Sequence, residues 1–318
     1  MSNFASGYIK YINHLEQIND AAISHPARMI EEVEGSYREH LKNIARNITE
    51  RRVPVRIVML SGPSSSGKTT TAHLLRDYLG EFGTRAVIIS LDDFYLDREH
   101  SPRLPDGSYD FETVNALDVE RIRETLNSVV GSGKFSVPCF SFSLGRADGP
   151  EREYELGAGD LAIVEGIHGL NPIFTRDLPE DVCMKLYVSV KQQIKDANGE
   201  VISPWDLRLV RRIVRDIQFR GSTAENTLAM WGQVVEGENR YIRPYRISAD
   251  YTVNSIHIYE PCVLRTVAIP LLRAVAADDL HYRKARDLES RLMRFEPVDP
   301  KLVPEGSMLR EFLGAPNQ

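Results

Sequence analysis

Gly62-Pro63-Ser64-Ser65-Ser66-Gly67-Lys68-Thr69 fits the phosphate-binding pattern G-x-x-x-x-G-K-[ST] in full. Its flanks carry as much information as the match. Val55-Arg56-Ile57-Val58-Met59-Leu60 is an apolar, β-branched run that reads as a buried strand. Thr70-Thr71-Ala72-His73-Leu74-Leu75-Arg76-Asp77-Tyr78-Leu79 has apolar residues at helical spacing. Strand, glycine loop, helix is the arrangement that turns successive N–H groups and a helix N-terminus onto an anion. Gly62, Ser64, Ser65, Ser66, Gly67, Lys68, Thr69 and Thr70 are therefore the candidate nucleotide-phosphate residues. Lys68 would bridge the outer phosphates of ATP, and the Thr69 hydroxyl would ligate Mg²⁺.

Outward from the loop, strands and helices alternate, which predicts an α/β fold: a mostly parallel sheet with helices on both faces. Strands are expected at 86–90, 161–164, 184–190 and 251–254. Helices are expected at 118–130, 206–219, 223–237, 260–276 and 281–293. Residues 131–157 read instead as a β-hairpin outside the main sheet, placed to wall a second substrate. Before the loop, residues 8–50 read as helix broken near His25-Pro26, with Ile9, Ile12, Leu15 and Ile18 at helical spacing. That segment carries no catalytic motif and reads as a packing or oligomerisation arm. Residues 294–318 are punctuated by proline and are expected to wrap the surface.

Bulk properties narrow the class. A formal charge of −6 over 318 residues argues against broad nucleic-acid binding. Met1 to Lys10 has no apolar core of signal-peptide length, and no run is long enough for a membrane span. Cys139, Cys183 and Cys262 lack C-x-x-C spacing and read as thiols of a reducing compartment. The expectation is a cytoplasmic protein with no nucleic-acid or membrane partner.

Three further blocks could carry chemistry. Asp92 and Asp93 follow the second strand, where ligands bind in open α/β sheets. A kinase needs a carboxylate there to accept the acceptor's proton, and Asp92 is the first choice, Asp93 the alternative. The competing reading is that Asp92 caps the next helix. Glu165 ends the apolar run Leu161-Ala162-Ile163-Val164, the position of an acid that holds Mg²⁺ or its water. His168, just beyond, could touch substrate or be a structural histidine. Arg208, Arg211, Arg212, Arg215 and Arg220 crowd one helix ending at Gly221. Arg212, Arg215 and Arg220 are taken as a lid that stabilises charge on the transferred group.

Together, Ser61–Thr70, Ile89–Tyr95, Tyr109–Asp118, Val164–Pro172 and Leu209–Gly221 resemble the uridine kinase and phosphoribulokinase family of P-loop small-molecule kinases. The stretch Arg211-Arg212-Ile213-Val214-Arg215-Asp216-Ile217-Gln218-Phe219-Arg220-Gly221 carries that family's R-R-I-x-R-D-x-x-x-R-G pattern. Leu309-Arg310-Glu311-Phe312-Leu313-Gly314 looks similar to a bacterial branch of nucleoside kinases. The resemblance implies a five-stranded parallel sheet, a hairpin closing the nucleoside site and an arginine-bearing lid. The domain division expected from the whole sequence is a helical arm at 1–52, a kinase domain at 53–280 with the hairpin near 131–157 and the lid near 205–246, and a helix with a surface tail at 281–318. The resemblance places Asp92 on the catalytic acid and a second candidate metal contact, Glu165 on the Mg²⁺-linked acid, and Glu112 on the sugar-binding acid. Asp93, Tyr95, Phe140, Phe142 and His168 complete the expected substrate side.

The implied reaction is ATP- and Mg²⁺-dependent phosphorylation of uridine or cytidine by a homo-oligomer. A sugar, polyol or other nucleoside is the runner-up acceptor, because the family's Y-D-F-x-x-H segment is here Phe140-Ser141-Phe142-Ser143-Leu144-Gly145. The arginine that often follows the lid is replaced by Ser222. A P-loop regulator without kinase activity is the remaining alternative. No N-K-x-D guanine-reading motif occurs, and a lid has no evident use in such a switch.

Overall fold

A computed structural model describes residues 13–314 other than Phe142. Ile9 and Ile12 of the predicted arm lie outside the described residues. A short strand β1 (Asn13–His14) leads into helices α1 (Leu15–Ser24) and α2 (Pro26–Thr49). The break falls at His25, because Pro26 cannot donate a hydrogen bond but suits a helix's first turn. In α2, Met29, Val33, Tyr37, Leu41, Ile44 and Ile48 form a buried stripe against the rest of the chain. The arm is thus a packing element of its own protomer.

The phosphate-loop unit follows: β2 (Ile57–Ser61), α3 (Lys68–Glu81) and β3 (Ala86–Ser90). After α4 (Val119–Val130), capped by the Asp118 carboxylate on the Arg121 N–H, comes the hairpin. It is built from β4 (Lys134–Val137) paired with β7 (Arg152–Glu155), and inside it β5 (Phe140–Ser141) paired with β6 (Arg146–Ala147). Then come β8 (Leu161–Glu165), β9 (Cys183–Ser189), β10 (Ile194–Asp196) and β11 (Gly199–Ile202). The last two pair with each other, and β10 also pairs with β1, in a small sheet that periodicity did not reveal. The chain continues through α5 (Pro204–Arg220), α6 (Ala224–Gly237), β12 (Tyr251–Asn254), α7 (Glu260–Arg273), α8 (Tyr282–Leu292) and the single turn α9 (Arg310–Leu313).

The central sheet has five parallel strands in the order β12-β9-β2-β8-β3. Its strands are apolar on both faces, as a sheet covered by helices on both sides requires. Alternation then sorts the side chains. Val58 and Leu60 join a core with α2, α3, α5 and α7, whereas Ile57 and Met59 join the other with α4 and the hairpin. Leu161 and Ile163 of β8 divide from Ala162 and Val164 in the same way. β2 is central, so both its edges are paired and the loop after it is held rigidly.

The segment after α8 does not wrap the surface as expected. Phe295, Val298, Val303, Met308, Leu309 and Phe312 are buried in the core on the α2 side. Arg310 folds the segment on itself, donating to the carbonyls of Pro300, Val303 and Gly314. Proline breaks erase the periodicity by which sequence reveals burial, so irregularly spaced apolar residues carry no signal of the core they join. Phe312→Ala should therefore cost about 3–5 kcal/mol, as for a core phenylalanine. Leu302→Ala, at a side chain 42% exposed, should stay within about 0.5 kcal/mol. Urea unfolding midpoints would check both, and equal small effects would contradict the packing.

Candidate active site

The loop between β2 and α3 is shaped by close contact. A Cβ at Gly62 would lie 2.1 Å from the Val188 carbonyl oxygen. Ser65 and Gly67 both take positive φ, 57° and 85°, so the loop's amides can turn inward as a nest. Lys68 folds back to donate to the Pro63 carbonyl at 3.1 Å. Helix α5 clamps the loop from outside. Arg208 Nε donates to the Ser64 carbonyl at 2.9 Å, and Arg212 Nη1 to Ser64 Oγ at 2.9 Å. Arg211 Nη1 reaches the Ser65 carbonyl at 3.2 Å.

The acids arrive on the neighbouring strands. Ser90 Oγ, at the end of β3, donates to Glu165 Oε1 at 3.0 Å at the end of β8. Ser90 also caps the short turn Leu91–Phe94, accepting from the Asp92 N–H at 3.4 Å. Asp92 is therefore not the cap, and its carboxylate is free to line the cavity. Desolvation raises the Asp92 pKa, with Lys68 and Arg220 acting in the opposite direction. Burial, then the Asp92 charge, pushes Glu165 up to about 7 against the pull of Lys68. Burial likewise depresses the Lys68 pKa, opposed by Glu165, Glu311 and Asp92.

These groups line one cavity of about 370 Å³, a volume suited to a small ligand. Arg212, Arg215 and Arg220 also line it, and all three lie near one carboxylate, Asp216, at 3.2, 2.7 and 3.7 Å. Arg208 and Arg211 do not line it, being paired with Glu238 and Glu260. On the acceptor side stand Glu112, Tyr95 and Phe140. Tyr95 donates its hydroxyl to the Phe111 carbonyl at 3.1 Å, and its ring lies 5.8 Å from that of Phe140.

Two predicted substrate residues fall elsewhere, and a third cannot be placed. Asp93 is tied to the hairpin by Arg152 and by the Phe140 N–H, and does not line the cavity. His168 is buried behind the wall, edge-on to Tyr241 at 6.5 Å. Burial lowers its pKa to about 4, so it is a neutral structural imidazole near pH 7. Phe142 lies outside the described residues. Conversely, Arg98, Phe111, Met230 and Glu311 line the cavity unforeseen. Phe111 adjoins Glu112, and Glu311 sits in a block already singled out by resemblance. Arg98 and Met230 carried no sequence signal.

The residues fit a nucleotide polyphosphate with Mg²⁺. Ser65 Oγ and Ser66 Oγ are buried without a hydrogen-bond partner, as donors awaiting an anion would be. Thr69, Asp92 and Glu165 line the cavity with oxygen atoms of the kind a hard cation takes, and would be the residues to hold one.

The family model described as Phosphoribulokinase / Uridine kinase family matches residues 57–260. The uridine kinase of Macrococcus caseolyticus is 29% identical over 199 residues, 62% of this chain and 86% of that protein. Uridine-cytidine kinase B of Dictyostelium discoideum is 26% identical over 214 residues, 67% of this chain and 80% of that protein. Among solved structures, phosphoribulokinase from Rhodobacter spheroides superposes with a TM-score of 0.44 at 18% identity, covering 64% of this chain and 74% of its own.

Glu112 offers a test of the cavity's electrostatics. Burial pushes its pKa from 4.5 to about 7, outweighing the attraction of Arg212. The folded state thus favours the protonated carboxyl. Its contribution is full below about pH 4.5 and is lost as pH rises through about 7. Glu112→Gln should match the wild type in stability near pH 4.5 and exceed it by about 2–3 kcal/mol above pH 8. Denaturant titrations across pH 4–9 would read this, and a pH-independent difference would contradict it.

Proposed function

This chain belongs to the phosphoribulokinase / uridine kinase family, and we propose that it transfers the terminal phosphoryl group of ATP to a primary hydroxyl of uridine or cytidine. One observation carries the reading: a desolvated carboxylate, Asp92, shares a cavity with Lys68 of the phosphate loop and with three arginines of one helix. A carboxylate so placed accepts the proton as the acceptor oxygen bonds to the γ-phosphorus and the bond to ADP breaks. Lys68 and the loop amides hold the phosphates. Arg212, Arg215 and Arg220 stabilise the charge on the moving group, and the surrounding wall excludes water. Bound Mg²⁺, held through Thr69 and Glu165 with Asp92 nearby, would neutralise phosphate oxygens. Glu112 is the acid for the acceptor's other hydroxyls. Tyr95 and Phe140 supply aromatic faces for a base.

A sugar, polyol or other nucleoside is the second reading, favoured by one feature. Phe140 has no hydroxyl to hydrogen-bond a pyrimidine, and sites lacking such bonds discriminate weakly. The same reading includes a cytoplasmic, homo-oligomeric enzyme. No helix among the described residues is long and apolar enough to cross a membrane.

Asp92→Asn should lower kcat by roughly 10²–10⁴ while leaving the Kd for ATP within about twofold. Full turnover in that variant would remove Asp92 from the role. ADP release with a panel of nucleosides, sugars and polyols, read with product mass, would identify the acceptor. Turnover with none of them would count against the kinase reading itself.

A further inference from the structure

The first turn of α3 presents the amides of Lys68, Thr69 and Thr70, none of which has an acceptor within the helix. The first internal bond is Thr71 N–H to the Gly67 carbonyl at 3.0 Å. Gly67, at the cap position, has no side chain to satisfy them. One acceptor comes instead from far along the chain. Glu311 Oε2 accepts from the Thr70 N–H at 3.3 Å and from Thr70 Oγ1 at 3.0 Å.

A carboxylate in that position is a monovalent anion in a seat built for phosphate oxygens. Its placement is secured on both sides. Met308 packs so tightly on the loop that a Cβ at Gly67 would lie 2.6 Å from its Cγ. Phe312 is fully buried, with its ring 5.2 Å from the Arg211 guanidinium. Glu311, between them, is only half-buried and lines the cavity beside Ser65, Lys68 and Thr69. Its neighbours fix the backbone of α9, whereas the Glu311 carboxylate itself faces the cavity.

We propose that Glu311 is an internal competitor of the nucleotide: its carboxylate holds one phosphate seat at the start of α3, and ATP must displace it to bind. The inference rests on the reading of this loop as the nucleotide's phosphate site. Displacement exchanges one charge-assisted contact for another, so the apparent affinity is lowered by the fraction of molecules with the seat filled. It also removes a negative charge from a cavity that already holds Asp92, Glu112 and Glu165. Glu311 thereby sets the nucleotide concentration at which the site fills.

Calorimetric titration of ATP with Mg²⁺ into wild-type protein and Glu311→Gln tests this. The glutamine keeps the shape and removes the charge, and ATP should bind it about tenfold more tightly. Thermal unfolding adds an independent readout. Without nucleotide, E311Q should melt below the wild type, having lost a charged cap. With saturating ATP the difference should vanish, because the wild type has then lost that contact too. Unchanged or weaker ATP binding in E311Q would overturn the proposal and leave Glu311 as a cap or a nucleotide-holding group. Failure of both proteins to bind ATP at millimolar concentration would overturn the phosphate-site reading, and this proposal with it.

Discussion

The buried pair of Arg211 and Glu260 is the contact on which the rest of the architecture depends. Both side chains are 0% exposed. Arg211 Nε and Nη2 reach the two carboxylate oxygens at 2.6 and 2.7 Å, the fork geometry that only arginine offers. Its remaining donors go to the carbonyls of Ser65 and Ser255, at 3.2 and 2.8 Å. One guanidinium thus ties the phosphate loop, α5, the turn after β12 and α7 together. Such a pair adds little net stability when complete, yet removing one partner costs about 3–5 kcal/mol by stranding the other. Its value lies in specifying how the loop sits on α5.

That anchoring explains a division of labour among arginines on one helix. Arg208 and Arg211 each have a dedicated buried carboxylate and spend their other donors on loop carbonyls. Among the described residues, Arg212, Arg215 and Arg220 form ion pairs with Asp216 alone, so three cations at the cavity share one paired acid. The excess positive charge offsets the carboxylates Asp92, Glu112 and Glu165, all of which desolvation pushes upward. Carboxylates and cations lining one cavity suit a site that must manage both a proton and a phosphoryl group.

Much of this was readable from sequence where local pattern and chemistry coincide. The G-x-x-x-x-G-K-[ST] stretch, its flanking strand and helix, and the acids ending two other strands all lie within short windows. The parallel sheet followed from strand–helix alternation. What escaped depends on distant pairing. The sequence put Arg208 on one helix with Arg212 and Arg215, but could not reveal that Glu238 claims Arg208. Asp93 and Asp92 are adjacent and chemically identical, and it is the hairpin, through Arg152 and the Phe140 N–H, that draws Asp93 away from the cavity. His168 follows a strand end as a ligand residue would, yet its ring turns inward to Tyr241. Glu311 lies 241 positions from Thr70, beyond the reach of any periodicity.

The order of the central sheet also governs when this site can come into being. β2 lies between β8 and β9, both far downstream, while β3, next in sequence, is separated from it by β8. The strand that carries the phosphate loop therefore has no partner until residues 161–189 are available. Loops that long must close before any contact rewards them, which makes such topologies slow to assemble. During synthesis on a ribosome the helices α1 and α2 could pack on α3 but would wait for the sheet and α7 to complete their cover. Capture of nucleotide would report a late stage of folding, after the sheet has closed around its middle strand.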